Sequence, residues 1–198
     1  MRAVTTAPRP RGSAGPARAA AAALLAGALL AGCGGGADPK GAASSTPPVP
    51  AGFTQASAGE LTFAYPSGWK AGAPPDGWAY LAEAPAAGSA AARVGVIKEV
   101  PQVPEPKVVI AGASTALRLN ATGYDRGPNR PMRIPGATKA IRVDYTYKTG
   151  KAGQDAARGT DIAVVYGKSA AIIRIAGLQS DLPTDLADRI AGTVAVRT

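Results

Sequence analysis

Residues 160–176 constrain the fold more than any other stretch of this chain. Thr160–Tyr166 and Ser169–Ala176 flank Gly167-Lys168, and two apolar runs separated by a glycine-containing pair read as a hairpin with a two-residue turn. Both runs are apolar at nearly every position, the pattern of strands covered on both faces. A chain with such a hairpin must supply a layer on each side of it. The preceding strand has a different pattern: Ile141, Val143, Tyr145 and Tyr147 alternate with Arg142, Asp144, Thr146 and Lys148. That period of two predicts a half-buried antiparallel strand with a polar face.

Shorter elements precede these. Leu61, Phe63 and Tyr65 fall on one face of a strand that Pro66-Ser67-Gly68 breaks, and residues 78–83 and 93–100 are further strand candidates. Val94 and Val96 alternate in the last of these, and the prolines at 101, 104 and 106 end it. Residues 108–120 predict a helix with Val109, Ala113, Ala116 and Leu117 inward, and residues 124–134, rich in Arg, Gly and Pro, predict a loop with a short strand. A second loop is expected at 149–157. Leu182, Leu186, Ile190 and Val194 recur every four residues behind Asp181 and Pro183, predicting a closing amphipathic helix. The expected fold class is α+β, an antiparallel sheet with helices packed on it.

Ahead of this domain lies a segment of another kind. Arg2, Arg9, Arg11 and Arg18 precede the apolar stretch Ala19–Ala31, which ends in Leu30-Ala31-Gly32-Cys33 with the chain's only cysteine. A positive region, an apolar region of about 7–15 residues and small residues at the cleavage point make a secretory signal. The stretch is shorter than the roughly 20 apolar residues of a membrane span. The tetrapeptide resembles the lipobox of bacterial lipoproteins. That resemblance implies removal of residues 1–32 and a thioether-linked diacylglycerol on Cys33, which places the protein on the outer face of the cytoplasmic membrane. Residues 33–52, rich in Gly, Ser and Pro, read as a tether with a reach of about 25 Å, and residues 53–198 as one α+β domain. Without residues 1–32 the basic residues fall from 22 to 18 against 13 acidic ones, and the net charge from +9 to about +5. That balance suits an anionic membrane surface and gives no nucleic-acid binder's excess.

Histidine is absent, and the lone thiol is committed to lipid. Triads built on histidine, histidine or thiolate metal sites and disulfides are therefore excluded. Ser67-Gly68 and Gly112-Ala113-Ser114 lack the Gly-x-Ser-x-Gly pattern, and Gly34–Gly36 lead into no phosphate loop. The expectation is a non-enzymatic protein with no catalytic residue, cofactor or metal.

Phe63-Ala64-Tyr65-Pro66-Ser67-Gly68-Trp69, a strand ending in aromatic-Pro-x-Gly-Trp, resembles the opening of the PsbP-like α/β/α sandwich superfamily. Ile134-Pro135-Gly136-Ala137 leading into residues 142–147 is similar to that family's middle strand, and the hairpin with its terminal helix is similar to its close. With the lipobox, the whole resembles the LpqN/LpqT-type lipoproteins of actinobacteria. The resemblance implies a binding or assembly module and transfers no catalytic residue; fold by itself assigns no role.

Two constellations are candidates for interaction. Arg126, Arg130 and Arg133 open a basic stretch running to Arg158. It is suited to an envelope protein, anionic lipid or wall polymer; the alternative is a solvated strand face and loop. Trp69 and Trp78 bracket a Pro/Gly-rich loop; Trp69 reads as a core cap, and Trp78 as a groove candidate. Asp181, Asp185 and Asp188 read as the solvent face of the last helix. The function expected from all this is a lipid-anchored binding or scaffold module, attached to the membrane through Cys33. The alternative is an envelope carrier of a lipid or other apolar molecule.

Overall fold

The computed structural model describes residues 46–85, 91–102, 105–149 and 155–197. Cys33, the segment read as a signal peptide and the first part of the tether lie outside the described residues. The predicted hairpin forms and lies at the centre of the molecule. Strands β9 (Asp155–Tyr166) and β10 (Ser169–Leu178) pair in unbroken antiparallel register from Tyr166–Ser169 to Ala157–Leu178. Gly167 supplies the left-handed backbone of the turn, at φ +55°.

Strand β8 (Lys139–Thr149) pairs with β9 and strand β5 (Arg93–Pro101) with β10. Outside β8 lie β6 (Thr122–Arg126) and the two-residue β7 (Arg130–Pro131). Outside β5 lie β4 (Trp78–Glu83) and β3 (Lys70–Ala71). The order is β3-β4-β5-β10-β9-β8-β6, with β7 also on β8.

Each face of this large sheet carries a layer, as strands apolar on both sides require. One face is covered by helix α1 (Pro106–Asn120). Proline is tolerated at its first position because that N–H would have no helical partner. Ile110, fully buried, packs on Ile141, Val143, Ala163 and Ile172.

The opposite face carries the larger core. Strands β1 (Phe53–Ala58), β2 (Leu61–Pro66) and β11 (Ala195–Val196) form a second sheet, ordered β1-β2-β11. Helix α2 (Thr184–Ala191) lies with it. Leu182 and Ile190 are fully buried in this layer with Phe63, Ile162, Val164 and Ile173; burying such a side chain is worth about 1.5–3 kcal/mol. Arg189 of α2 lies over the Phe53 ring, 4.6 Å from its centroid.

The α+β class is as expected, but the second sheet is an addition. The closing helix does not end the chain: β11 follows it and returns to β2. Of the loop expected at 149–157, Thr149 belongs to β8 and residues 155–157 to β9, and residues 150–154 lie outside the described residues.

Candidate functional site

The polar residues of β8 alternate onto the face that α2 shares, and there the apolar core stops. Along β9 the same face runs from Val164 and Ile162 to Thr160 and Arg158, and along β8 from Ala140 to Arg142, Asp144 and Thr146. With α2 on one side and the β6–β7 segment on the other, these side chains floor an open cleft of about 520 Å³. Arg130 and Asp125 rim one side, Thr184 and Asp188 the other.

The floor is held together internally. Asp144 and Thr160 are direct cross-strand partners, and the Thr160 hydroxyl donates to Asp144 Oδ1 at 2.6 Å. Arg142 donates from Nε to the same oxygen at 2.8 Å, and from Nη1 it reaches Asp188 Oδ1 of α2 at 2.6 Å. Its side chain is only 18% exposed, against 52% for Asp188 and 58% for Arg130. Arg130 closes on Asp144 Oδ2, and Arg158 donates to the Thr184 hydroxyl. Charges therefore alternate from β7 through β8 to α2, as Arg130, Asp144, Arg142 and Asp188. Three arginines and three aspartates line the cleft, so it offers both signs of charge on a half-buried floor and an exposed rim.

A second ionic group lies behind this floor, on the α1 face of the same strands. Asp161 and Arg174 are direct cross-strand partners of the central hairpin, joined by Nε–Oδ1 at 2.8 Å and Nη2–Oδ2 at 2.7 Å. Asp161 is 1% exposed. The Tyr145 hydroxyl donates to it at 3.2 Å, its ring crossing Gly159, where a Cβ would come within 2.3 Å of the phenol carbon. Burial pushes the Tyr145 hydroxyl well up, and the Asp161 charge adds to that against the opposing effect of Arg174. For Arg174, burial acts downward but is outweighed by the hydrogen bonds and charge of Asp161, and the guanidinium stays ionised.

The structure disperses the residues singled out from sequence. Arg130 lies at the cleft. Arg126 lies near α1, its Nε donating to Ser114 Oγ at 3.1 Å and its Nη2 to Asn129 Oδ1. Arg133 lines a separate shallow groove with Ile134, Pro135 and Lys139. Trp78 is half-buried over Gly95, where a Cβ would meet the indole at 2.5 Å. It sits on β4, four strands and about 19 Å from β8, so it forms no common surface with Arg130. Trp69 packs against the core beside Tyr65. Asp188 is not simply on a solvent face, as its spacing suggested, because Arg142 reaches it from the sheet. Sequence reasoning places Arg142 in the basic stretch from Arg126 to Arg158 but does not join it to Asp144 and Asp188 as a site. It also missed the Asp161–Arg174 pair, although a two-residue turn at 167–168 fixes the register that sets them opposite each other. Among the described residues no cluster of His, Cys, Asp or Glu is placed to hold a metal ion.

No family model matches the sequence, and no curated protein matches it. Solved structures do. LpqN of Mycobacterium tuberculosis, involved in cell envelope biogenesis, superposes with a TM-score of 0.52 at 14% identity, covering 70% of this chain and 83% of that one. The cyanobacterial PsbP (CyanoP) of Synechocystis sp. PCC 6803 gives 0.52 at 14% identity, over 80% of this chain and 99% of that one. At such identity the likeness carries architecture alone: this chain has the PsbP-like fold, an antiparallel sheet with helices packed on it.

Proposed function

We propose that this chain is a non-catalytic binding module of the cell envelope, anchored through lipid on Cys33 to the outer face of the cytoplasmic membrane, and that it binds its partner in the cleft between α2 and β8. The observation that supports this reading is the preorganised floor of Arg142, Asp144 and Thr160, open to solvent and rimmed by exposed charged side chains. A charged floor with the exposed, ion-paired Arg130 and Asp188 at its rim suits a polar partner carrying both charges, such as a protein loop. The lipobox and the envelope role given for LpqN accord with the location.

Of the three cleft carboxylates, Asp144 and Asp188 face guanidinium groups rather than each other. The carrier reading gains no such support. The space between the large sheet and α2 is filled by Leu182, Ile190 and their neighbours, and the cleft beside it has a charged floor.

Crosslinking and affinity capture of the chain from its native envelope test the proposal. A protein retained by the wild type and lost with Arg130→Glu, but kept with Arg133→Glu, is the expected result. Equal retention by both variants would overturn the placement of the site. A retained apolar small molecule with no protein would overturn the module in favour of the carrier.

A further inference from the structure

Across the large sheet from the cleft, at the corner between α1 and β6, lies a smaller notch of about 220 Å³ lined by Ser114, Thr115, Arg118, Tyr124 and Arg126. Every one of these side chains carries a hydrogen-bond donor, and none is a carboxylate. Asp125, between Tyr124 and Arg126 in sequence, lines the cleft instead, as strand alternation requires. Neither Arg118 nor Arg126 has an acidic partner among the described residues.

Two further features distinguish this corner from a solvated basic face. Ser114 is a buried hydroxyl on the inward side of α1, and it accepts from Arg126 Nε at 3.1 Å, which fixes that guanidinium at the notch. Tyr124 carries a buried hydroxyl that finds no hydrogen-bond partner, and a native structure rarely leaves such a group unsatisfied. The notch lies toward the C-terminal end of α1, where the helix carries about half a negative charge, but two full positive charges outweigh that.

We propose that the notch binds a phosphate group, with Arg118 and Arg126 supplying charge and the hydroxyls of Ser114, Thr115 and Tyr124 supplying directed donors. Compact size, two guanidinium groups and no competing carboxylate select a tetrahedral oxyanion. The group comes either as free phosphate or on a lipid headgroup. Leu119, beside Arg118, is 78% exposed, and a cation next to an exposed apolar side chain is the arrangement of an interfacial contact. The proposal does not depend on the cleft.

The test uses the full chain carrying Cys33→Ala, so that acylation contributes no membrane affinity. Binding is measured by titration with inorganic phosphate and by cosedimentation with phosphatidylglycerol vesicles. Saturable phosphate binding is expected, weakened about tenfold or more by Arg118→Gln or Arg126→Gln. Tyr124→Phe, which changes no charge, is expected to weaken it severalfold, and Lys107→Gln, a cation on α1 outside the notch, to leave it unchanged. Vesicle binding with the same dependence on Arg118 and Tyr124 identifies the headgroup as the source; phosphate binding without vesicle binding identifies the free ion. Absence of phosphate binding, or binding that Arg118→Gln and Tyr124→Phe leave intact in folded protein, would overturn the site.

Discussion

Removing one partner from the Asp161–Arg174 pair should destabilise this domain more than most single substitutions do. Arg174→Met leaves the Asp161 carboxylate in a site 1% exposed, with the Tyr145 hydroxyl as its remaining side-chain donor. Breaking a buried pair in this way costs about 3–5 kcal/mol, a large share of the roughly 5–15 kcal/mol that holds a domain together. With a urea dependence near 2 kcal/mol per molar, the unfolding midpoint falls by about 2 M. Asp161→Leu strands the guanidinium and should cost a similar amount. Removing both charges has a different effect. In Asp161→Leu/Arg174→Met the Tyr145 hydroxyl would be left unpaired, at about 1–3 kcal/mol, so Tyr145→Phe is added. The triple variant is then expected within about 1 kcal/mol of wild type, because an apolar replacement of a buried pair is often neutral. Urea unfolding followed by circular dichroism and by the fluorescence of Trp69 and Trp78 reads each variant. Single variants costing under about 1 kcal/mol would show that the pair is solvated. A triple variant as weak as the singles would show that packing, not charge compensation, is what the pair provides.

Other expectations follow from the same structure. The Tyr166 hydroxyl is pushed up to about 12 by burial and then by the Glu99 charge, and burial first also raises Tyr80 and Tyr145. These folded values lie above the unfolded value of 10, so the stability they contribute is complete below pH 10, and that of Tyr166 is lost as pH rises through about 12. Phenolate absorbance of these three of the six tyrosines should therefore appear together with loss of the circular dichroism signal; smooth titration of all six near pH 10 in folded protein would contradict this. Gly136 has φ +74°, and a Cβ there would meet the Val196 carbonyl at 2.3 Å. Gly136→Ala should thus cost more than about 1 kcal/mol, whereas Gly112→Ala, in open space on α1, should gain about 0.5–1 kcal/mol; thermal melting of the two with equal midpoints would refute the contrast. Cys33→Ala should abolish incorporation of labelled fatty acid into the protein, and unchanged acyl labelling would refute the lipid anchor.

What the sequence discloses depends on how far each element is buried. The hairpin of β9 and β10 is legible because both of its faces are covered, and β8 because one is. Strands β1, β6, β7 and β11 are short or lie at edges, so burial imposes no period on them; Thr122–Arg126 has one half-buried residue, Tyr124. The cleft was hidden for a related reason. Arg142, Asp144 and Thr146 have the alternation of a solvated face, and only the placement of α2 across them turns that face into a floor. Asp188 likewise reads as helix surface until Arg142 is brought to it from 46 positions earlier in the chain. Arg130 was found from its local basic context, but the same context grouped it with Arg126 and Arg133, which β6, β7 and the following turn direct elsewhere.

Site-specific photocrosslinking in the native envelope reads out whether the cleft is where this module meets its partner. A photoreactive side chain is placed in turn at Thr184 on the cleft rim, at Asp125 opposite it, and at Lys70 on the far edge strand β3. A discrete protein adduct is expected from the first two positions and none from Lys70. Adducts from Lys70 alone, or equally from all three positions, would contradict that placement.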